Sequence, residues 1–497
     1  AAGGLIGAGE ARATANSNTT SNALIGDVTV YAGQMSVDAG GNSYSNATTE
    51  AGSGGLVAAS GARPLVDMDA NVKAQISDGA DINIHEQQYY EDLYAAAYDA
   101  LSAGYGDEFD QRTDDQIIDL IKLSYTDAEF NALSQSDIDT KLAAAKTAEE
   151  RVGFIARQYL ELGQTKDQYI AAQITETLKT GANEVTGTFS INAQHTARPD
   201  AYVITESYGL IGGSGADSDI NVNSTVTAKI GTGTNVGAMV KADHISILAS
   251  NQVDKQAPAD LNIDGNAGGL VAGASASSAT VLTLNTLVDI GANSLIETVF
   301  ESKSAALTEP GSVVIKALNS ITFRDEVALF TGGALSGAGA FTTLSSTVLV
   351  AKINVGLDAQ VRSKGEIIME TNAAGDVYLQ SYSETNGLGS VALGDAVINL
   401  RPTSEINVYG TVRALKDIYL TAGTDRYQDL GSSTFKARVD NVAGSLIPIS
   451  DLETQIRWIM TNNVVIHDQG HLQGANNISL FANDIAFGNL DAKAKGT

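Results

Sequence analysis

The candidate metal ligands of the chain are concentrated in one short segment. His467, Asp468 and His471 fall within five residues, and two histidines four positions apart would share a helix face on which both imidazoles can bind zinc. The neighbouring residues favour another structure, because the Val-Val-Ile of 464–466 is typical of a strand and Gly470 of a turn. We therefore expect no metal site in this segment.

A second segment approaches a calcium-binding motif. Residues 212–217 read Gly-Gly-Ser-Gly-Ala-Asp, close to the nonapeptide of calcium-binding β-rolls, but Asp219 stands where that motif has an aliphatic residue and no tandem copy follows. We expect a turn here. The glycines of 231–237 lack the spacing and the Lys-Ser/Thr of a phosphate-binding loop, so we interpret them as the corner after Ile230.

No segment combines the side chains that nucleophilic or acid–base catalysis requires. His85, His195 and His244 stand alone, without a Ser-His-Asp, Cys-His or His-Glu-x-x-His pattern, and we expect them at the surface or at corners. The acidic residues are spread along the chain and are not grouped with His, Arg or Lys. We predict that the protein is not an enzyme and has no catalytic, cofactor-binding or metal-binding residues. A structural calcium ion at an Asp-rich turn is the one ion that remains a candidate.

The charge balance excludes several classes of partner. The 497 residues include 58 acidic and 30 basic ones, a net charge of −28, and so negative a surface repels phosphate backbones, so nucleic acid is not an expected partner. No run of about 18 apolar residues is present, and we expect no membrane span. The absence of cysteine is consistent with an exported protein, and we expect any signal peptide to be absent or already removed.

The elements that position these residues follow a recurrent spacing. A glycine-led step of small residues is followed by an aliphatic residue 21 positions later in six copies and 20 positions later in a seventh. Three short strands and three turns require roughly 20 residues, so we interpret the spacing as one turn of a right-handed parallel β-helix. An antiparallel sandwich would instead need a hairpin turn of Asn-Gly or Asp-Gly type at each connection, and such pairs are too few. The pairs are Gly4 with Ile25, Gly55 with Ile76, Gly209 with Ile230, Gly269 with Ile290, Gly333 with Ile353, Gly387 with Val408 and Gly444 with Val465.

A second recurrent element is an alternation of apolar, polar and apolar residues. Such alternation places the apolar side chains on one face of a strand, and we expect that face to be buried. The copies are Val28 and Val30, Phe189 and Ile191, Ile245 and Ile247, Val313 and Ile315, Val377 and Leu379, Ile418 and Leu420, and Ile478 and Leu480.

Residues 85–183 have a helical pattern instead. Hydroxyl residues three positions before Glu, Gln or Asp predict five or six helices in a small bundle, which contains 19 acidic and 8 basic residues and 8 of the 17 tyrosines. Without these residues the interval from Gly55 to Gly209 becomes similar to the other intervals between copies. We therefore predict β-helix over 1–84, an α-helical insert over 85–183 and β-helix over 184–497. The helix-start pairs are Thr113 with Gln116, Thr126 with Glu129, Ser136 with Asp139, Thr147 with Glu150, and Thr165 with Gln168.

The repeats resemble those of a known class of protein. Residues 268–273 (Gly-Gly-Leu-Val-Ala-Gly) leading to 288–291, and 209–212 leading to 226–231, are similar to the shaft of large bacterial exoproteins of the filamentous-haemagglutinin-like adhesin class. The resemblance implies a secreted or surface-attached β-helical shaft for adhesion, matrix building or display, with no catalytic residues in the shaft. The amino-terminal secretion domain of that class is not visible, and the helical insert departs from its usual repeat.

The expected function is that of an extracellular, cell-surface structural or adhesive fibre. Uncapped end rungs would expose unpaired backbone groups, so we expect a rod that stacks head to tail or forms part of a giant adhesin shaft, with the helical side domain making lateral contacts. Self-association and a cell-surface or matrix polysaccharide are the expected partners. The alternative is a carbohydrate-binding or polysaccharide-degrading β-helix protein, which an oligosaccharide bound in a carboxylate-lined groove would favour.

Overall fold

The chain divides into two compact units. The computed structural model describes residues 2–84, 112–122, 125–147, 187–233, 236–255, 263–298, 311–424, 433–483 and 486–496. One unit comprises Ala1–Val30, Met35–Asn83 and Phe189–Thr497 and is built of strands; the other comprises Tyr31–Gln34 and Ile84–Thr188 and contains the described helices.

The described strands form one sheet of fifteen strands and one of seven short strands. Every strand pair whose register is defined among the described residues is parallel, so the protein is mainly β with parallel sheets. The larger sheet contains β1 (Ala2–Ile25), β3 (Met35–Ile76), β5 (Thr188–Ile230), β7 (His244–Lys255), β8 (Ile263–Gly268), β9 (Val271–Ile290), β11 (Val313–Gly332), β12 (Leu335–Val355), β14 (Ile367–Leu400), β15 (Thr403–Val408), β17 (Ile418–Ala422), β18 (Ser433–Trp458), β19 (Thr461–Ile466), β21 (Ile478–Ala482) and β22 (Ala486–Gly496). The smaller sheet contains β2 (Thr29–Ala32), β4 (Asp81–Ile84), β6 (Met239–Ala242), β10 (Leu295–Thr298), β13 (Gln360–Ser363), β16 (Thr411–Ala414) and β20 (His471–Gly474).

The register pairs each strand with an equivalent strand one repeat later in the chain. Ile25 pairs with Ile76, and Ile76 pairs with Ile230, which follows the helical unit in the sequence. Ile230 in turn pairs with Ile290, and Ile290 with Val355. We use the word layer for the stretch of chain between one such position and the next. The expected superposition of Ile230 and Ile290 is confirmed.

The interpretation of the 21-residue spacing as one turn is wrong. Gly4 and Ile25 lie on the same strand, β1, and Gly4 pairs with Gly55. The spacing therefore measures a segment within a layer, and a layer is more than twice as long. The seventh, shorter copy is misaligned, because Ile353 pairs with Val288. A bulge between Ser346 and Val348 adds a residue to this layer and makes Val355 the equivalent position.

Most of the predicted alternating strands occupy a common register position. Val313 pairs with Ile245 and with Ile367, and Ile418 continues the same position; these four side chains are at most 2% exposed. The pair Val377 and Leu379 is buried, as expected, but at another position, opposite Phe323 and Asp325. The expectation for Val28 is wrong, since its side chain is 48% exposed.

The core consists of side chains that lie at the same register position in successive layers. Val66 pairs with Ile220, Ile220 with Thr280, Thr280 with Leu344 and Leu344 with Ile398, and each is fully buried. β-branched and aliphatic residues suit this arrangement because alternate residues of a strand face the same side. The register is therefore fixed by burial, since a shift of one residue would expose this whole set.

Glycines recur at one register position in successive layers, where a Cβ atom would meet the backbone of the preceding layer. A Cβ atom on Gly55 would lie 2.4 Å from the carbonyl oxygen of Gly4, and one on Gly209 2.4 Å from that of Gly55. The same contact recurs at Gly269 and Gly333, with distances of 2.2 and 2.3 Å to the preceding glycine. A side chain at these glycines would collide with the backbone of the preceding layer, whereas in the last layer Ser445 occupies the equivalent position. The glycine column comprises Gly55, Gly209, Gly269, Gly333 and Gly387.

The second unit contains three described helices. They are α1 (Asp114–Lys122), α2 (Asp127–Asn131) and α3 (Gln135–Ala145). Ile117, Ile121 and Ala145 form their buried centre, against which Phe130 and Leu142 pack. None of the described helices has the length and hydropathy needed to cross a membrane.

Two of the predicted helix starts are confirmed. The Thr113 amide donates to Gln116 at 3.0 Å, and Thr126 with Glu129 forms a complete capping box. The start predicted at Ser136 is wrong, because the cap of α3 is Ser134 with Asp137. Thr147 follows that helix, and Glu150 and the Thr165 pair lie outside the described residues.

Candidate functional site

A buried ion pair joins two layers of the larger sheet. The Nζ of Lys255 lies 2.7 Å from Oδ1 of Asp325, and the two side chains are 1% and 0% exposed. Lys255 pairs in register with Phe323 and its ammonium group lies 4.9 Å from the centre of that ring. Both charged residues therefore occupy positions that face the core.

A further carboxylate lies near this pair. Burial raises the pKa of Asp200, while the charge of Lys255 lowers it and that of Asp325 raises it. Asp200 Oδ1 has no hydrogen-bond partner among the described residues. A buried charge is tolerated only when it is paired, and the ion pair of Lys255 with Asp325 meets this condition across two layers.

The ion pair does not resemble a catalytic site, because neither member reaches solvent and a substrate needs access. The ion pair instead favours the observed register between β7 and β11, because a slip of one strand by one residue would separate the two charges. The buried position of Asp325 is indicated by the sequence, although no catalytic motif contains this residue. The alternation from Val313 through Ile321 and Phe323 continues to Asp325, which places that carboxylate on the inward face.

His195 is buried within the sheet, so the expectation of a surface or corner position is wrong. Its side chain is 2% exposed; Nε2 lies 3.0 Å from Ser43 Oγ and Nδ1 lies 2.8 Å from Ser224 Oγ. Asn251 donates to the Ser224 carbonyl at 3.2 Å. The alternation that buries Phe189 also predicts His195 on the inward face. Both ring nitrogens are occupied, which leaves none for a metal or a substrate.

We expect His195 to make folding stability depend on pH. Burial lowers its pKa below the ordinary value of 6.5, so the unfolded chain binds a proton at a higher pH than the folded chain. The free energy of unfolding should therefore fall as the pH drops through about 6.5. Urea unfolding of the wild type and of His195→Gln between pH 7.5 and 5 checks this, with a shallower slope expected in the variant. Equal slopes in the two proteins would contradict it.

The other histidine candidates do not form a metal centre. His467 follows β19 and stacks on Tyr409 with ring centres 3.8 Å apart, and its Nε2 lies 3.0 Å from Asn407 Oδ1. His471 begins β20, so the segment is strand, turn and strand, as expected. His244 is half-buried at the start of β7, and His85 lies outside the described residues. Within the described residues no group of three or more His, Asp or Glu side chains could hold a metal ion.

The two glycine-rich segments differ in structure. Residues 212–217 lie within β5, so the expectation of a turn is wrong. Gly231 and Gly233 have φ values of 73° and 90° in the connection between Ile230 and Met239, which confirms the predicted corner.

The carboxylates with raised pKa values do not lie over one another. Burial is the main cause for Asp200, Asp264 and Asp395 alike, with a contribution from Glu206 at Asp264 and from Glu453 at Asp395. They lie in three layers and at three different register positions. They therefore do not form the paired carboxylates that glycoside hydrolysis requires.

The outermost strands of the larger sheet are a further candidate site, because one side of each has no hydrogen-bonding strand among the described strands. β1 pairs only with β3, and β19, β21 and β22 each pair with one strand. Ile418 and Leu420 are fully buried, whereas their register partners in the last layer, Ile478 and Leu480, are 44% and 49% exposed. The same positions are thus half-exposed where no further described layer covers them.

Comparison with known proteins adds no identification: no family model, no curated protein and no solved structure matches the chain.

Proposed function

We propose that this chain is an extracellular structural or adhesive fibre protein whose strands wind as a right-handed parallel β-helix. The observation that carries the proposal is the parallel, in-register pairing of equivalent residues in successive layers, as in Ile230 with Ile290. Parallel strands joined by crossovers take the right hand almost without exception. A shaft of this kind, like that of the adhesins it resembles, presents a long repetitive surface.

Assembly in this proposal proceeds through the sheet edges. Edge strands offer unpaired N–H and C=O groups to any strand of matching direction, and Ile478 and Leu480 would become buried under another layer. The next layer is supplied by a second copy stacked head to tail or by further repeats of a longer shaft. The contact is heterologous and therefore does not close.

The remaining parts of the proposal concern partners. The protein acts outside the cell, binds a cell-surface or matrix polysaccharide, and uses the acidic, tyrosine-rich residues 85–183 for lateral contacts. Tyrosine suits such contacts because it combines a large apolar area with a polar tip. Deleting residues 85–183 should weaken lateral association; unchanged assembly of the deleted protein would remove this part.

Edge pairing makes one prediction about β19. Thr461 and His467 donate backbone N–H groups to Pro402 and Val408 at 3.0 and 2.9 Å, and N–H groups alternate between the two sides of a strand. The N–H of Val464 therefore points to the open edge. Val464→Pro should leave the fold intact and suppress fibre formation, because proline removes the donor and blocks an incoming strand.

Electron microscopy and sedimentation velocity measure the assembly, and far-UV circular dichroism checks the fold. Val464→Ala is the matched control, since it keeps the N–H and should assemble like the wild type. Fibres of normal length from Val464→Pro would argue against edge pairing. A wild-type chain that stays monomeric at high concentration would remove the head-to-tail form of the proposal.

A further inference from the structure

An exposed apolar ridge follows the glycine column. The residues directly after it are large and apolar in layer after layer, although they face solvent: Leu210 and Ile211 are 49% and 48% exposed, and Leu270 and Val271 are 56% and 41% exposed. The ridge comprises Leu5, Ile6, Leu56, Val57, Leu210, Ile211, Leu270, Val271, Leu335, Leu388, Leu446 and Ile447.

The register places these side chains in line. Ile6 pairs with Val57, Val57 with Ile211, Ile211 with Val271 and Val271 with Leu335. The backbones are hydrogen bonded along the same line, with Leu270 N donating to Leu210 O at 2.8 Å and Leu335 N to Leu270 O at 3.0 Å. Parallel strands are about 4.8 Å apart, so the seven layers form a continuous ridge about 29 Å long.

The area of the ridge is that of an interface. With exposures from 37% at Val57 to 81% at Leu446, the twelve side chains present roughly 1,000 Å² of apolar surface, more than the largest patch of a typical monomer. Each partner of a standard protein interface contributes about 800 Å². An exposed patch of this size and composition marks an interaction site.

The charge distribution indicates which partner fits it. The protein has a net charge of −28, so two copies repel each other over most of their surface. Residues 2–9, 53–60, 207–214, 267–274, 331–338, 385–392 and 443–450, which contain the ridge and the glycine column, include no Asp, Glu, Lys or Arg. Two copies can meet along this strip without bringing like charges together.

We propose that the ridge is a lateral interface between two copies of this chain. A two-fold axis through the middle layer brings the same patch of both copies together, as in an isologous dimer, and places Leu270 opposite Leu270 of the second copy. The evenly spaced side chains of one ridge then fit between those of the other. The adjoining glycine column carries no side chains and allows close approach.

This contact is separate from edge pairing, and either can fail without the other. Edge pairing adds layers to a sheet, whereas the ridge joins two sheets side by side. The experiment therefore uses the full chain with Val464→Pro, in which edge assembly is suppressed, so that the association that remains is lateral, through the ridge or through residues 85–183. Variants of the ridge distinguish the two contacts, because they leave residues 85–183 unchanged.

The test compares two variants that change one exposed leucine each. Leu270→Glu places like charges opposite each other in the dimer and should weaken dimerisation at least 100-fold in sedimentation velocity. Leu415→Glu is the matched control, because Leu415 is 50% exposed and lies off the ridge; it should dimerise like the parent. Circular dichroism should show both variants folded, since neither leucine is buried.

A mixing experiment shows whether ridge meets ridge. Leu270→Glu and Leu270→Lys should each dimerise at least 100-fold more weakly than the parent, while an equimolar mixture should form heterodimers through opposite charges. A parent protein that is monomeric at about 100 µM, equal dimerisation of Leu270→Glu and Leu415→Glu, or a mixture that stays monomeric would each overturn the proposal. Binding of the parent to phosphatidylcholine vesicles without dimerisation, abolished by Leu270→Glu, would overturn it in favour of a lipid surface.

Discussion

Gly269→Ala is expected to prevent stable folding of the layered sheet. The new Cβ would lie 2.2 Å from the carbonyl oxygen of Gly209 and 3.1 Å from that of Leu210. Both atoms belong to the backbone of the neighbouring layer, which cannot move without breaking its own hydrogen bonds. We expect a loss of at least about 3 kcal/mol in the free energy of unfolding, the upper range for overpacked sites.

Gly273→Ala provides the matched control. It lies four residues further along the same part of the chain, and a Cβ there would meet nothing within 4 Å. Its stability should be unchanged or raised by about 0.5 kcal/mol, because alanine reduces the entropy of the unfolded chain. Guanidinium unfolding followed by circular dichroism measures both variants. Equal midpoints for the two would show that the glycine column does not set the distance between layers.

Lys255→Met is expected to be the second most damaging change. It leaves the Asp325 carboxylate, which is 0% exposed, without its cation, and breaking a buried ion pair in this way costs about 3–5 kcal/mol. The charge of Lys255 also lowers the pKa of Asp200, a smaller effect than its direct pairing with Asp325. The measurement is again the free energy of unfolding in denaturant.

The double variant Lys255→Met with Asp325→Leu separates the ion pair from simple packing. It removes both charges and should recover most of the loss, because a buried pair and an apolar pair of similar volume are close in stability. The surface pair of Arg63 and Asp219, 58% and 37% exposed, is the control: Arg63→Met should not move the unfolding midpoint. A double variant as unstable as Lys255→Met would show that charge is not the cause.

The sequence was sufficient to identify the parallel, repetitive nature of the fold. The spacing found the glycine column at Gly209, Gly269, Gly333 and Gly387, and the alternation found the core position shared by Ile245, Val313 and Ile418. Burial of every second residue and the requirement for glycine each act on individual positions of a strand. They therefore produce patterns that can be recognised in the sequence.

The length of the layer could not be obtained in the same way. Gly55 and Ile76 have equivalents in other layers, because one position leaves no room for a side chain and the other is buried. The spacing between these two positions therefore looks like a repeat, although both residues lie on one strand. The interval between successive copies, such as Gly4 to Gly55, is the length of the layer, as the pairing of these two residues shows. The sequence contains both lengths, but only the long-range pairing tells which of them is the layer.

The buried polar groups were missed for a different reason. His195 and Asp325 continue the alternation of their strands, but His195 was expected at the surface or at a corner and Asp325 was not singled out. These two polar side chains are buried against Ser224 and Lys255. In this chain the position of a residue in the inward–outward alternation of its strand therefore predicts burial better than the polarity of its side chain. The open edges and the apolar ridge could not be predicted from the sequence, since exposure depends on neighbours far away in the chain.

The place of the helical unit in the sequence has a consequence for the order of folding. The interval from Ile76 to its partner Ile230 is more than twice as long as the interval from Ile230 to Ile290. Closing the longer interval costs about 1 kcal/mol more chain entropy when the intervening residues are unfolded. The pairing of β1 with β3 and the pairings among the layers after the helical unit close short intervals and are thus favoured first, and the pairing of β3 with β5 joins these two parts of the sheet later.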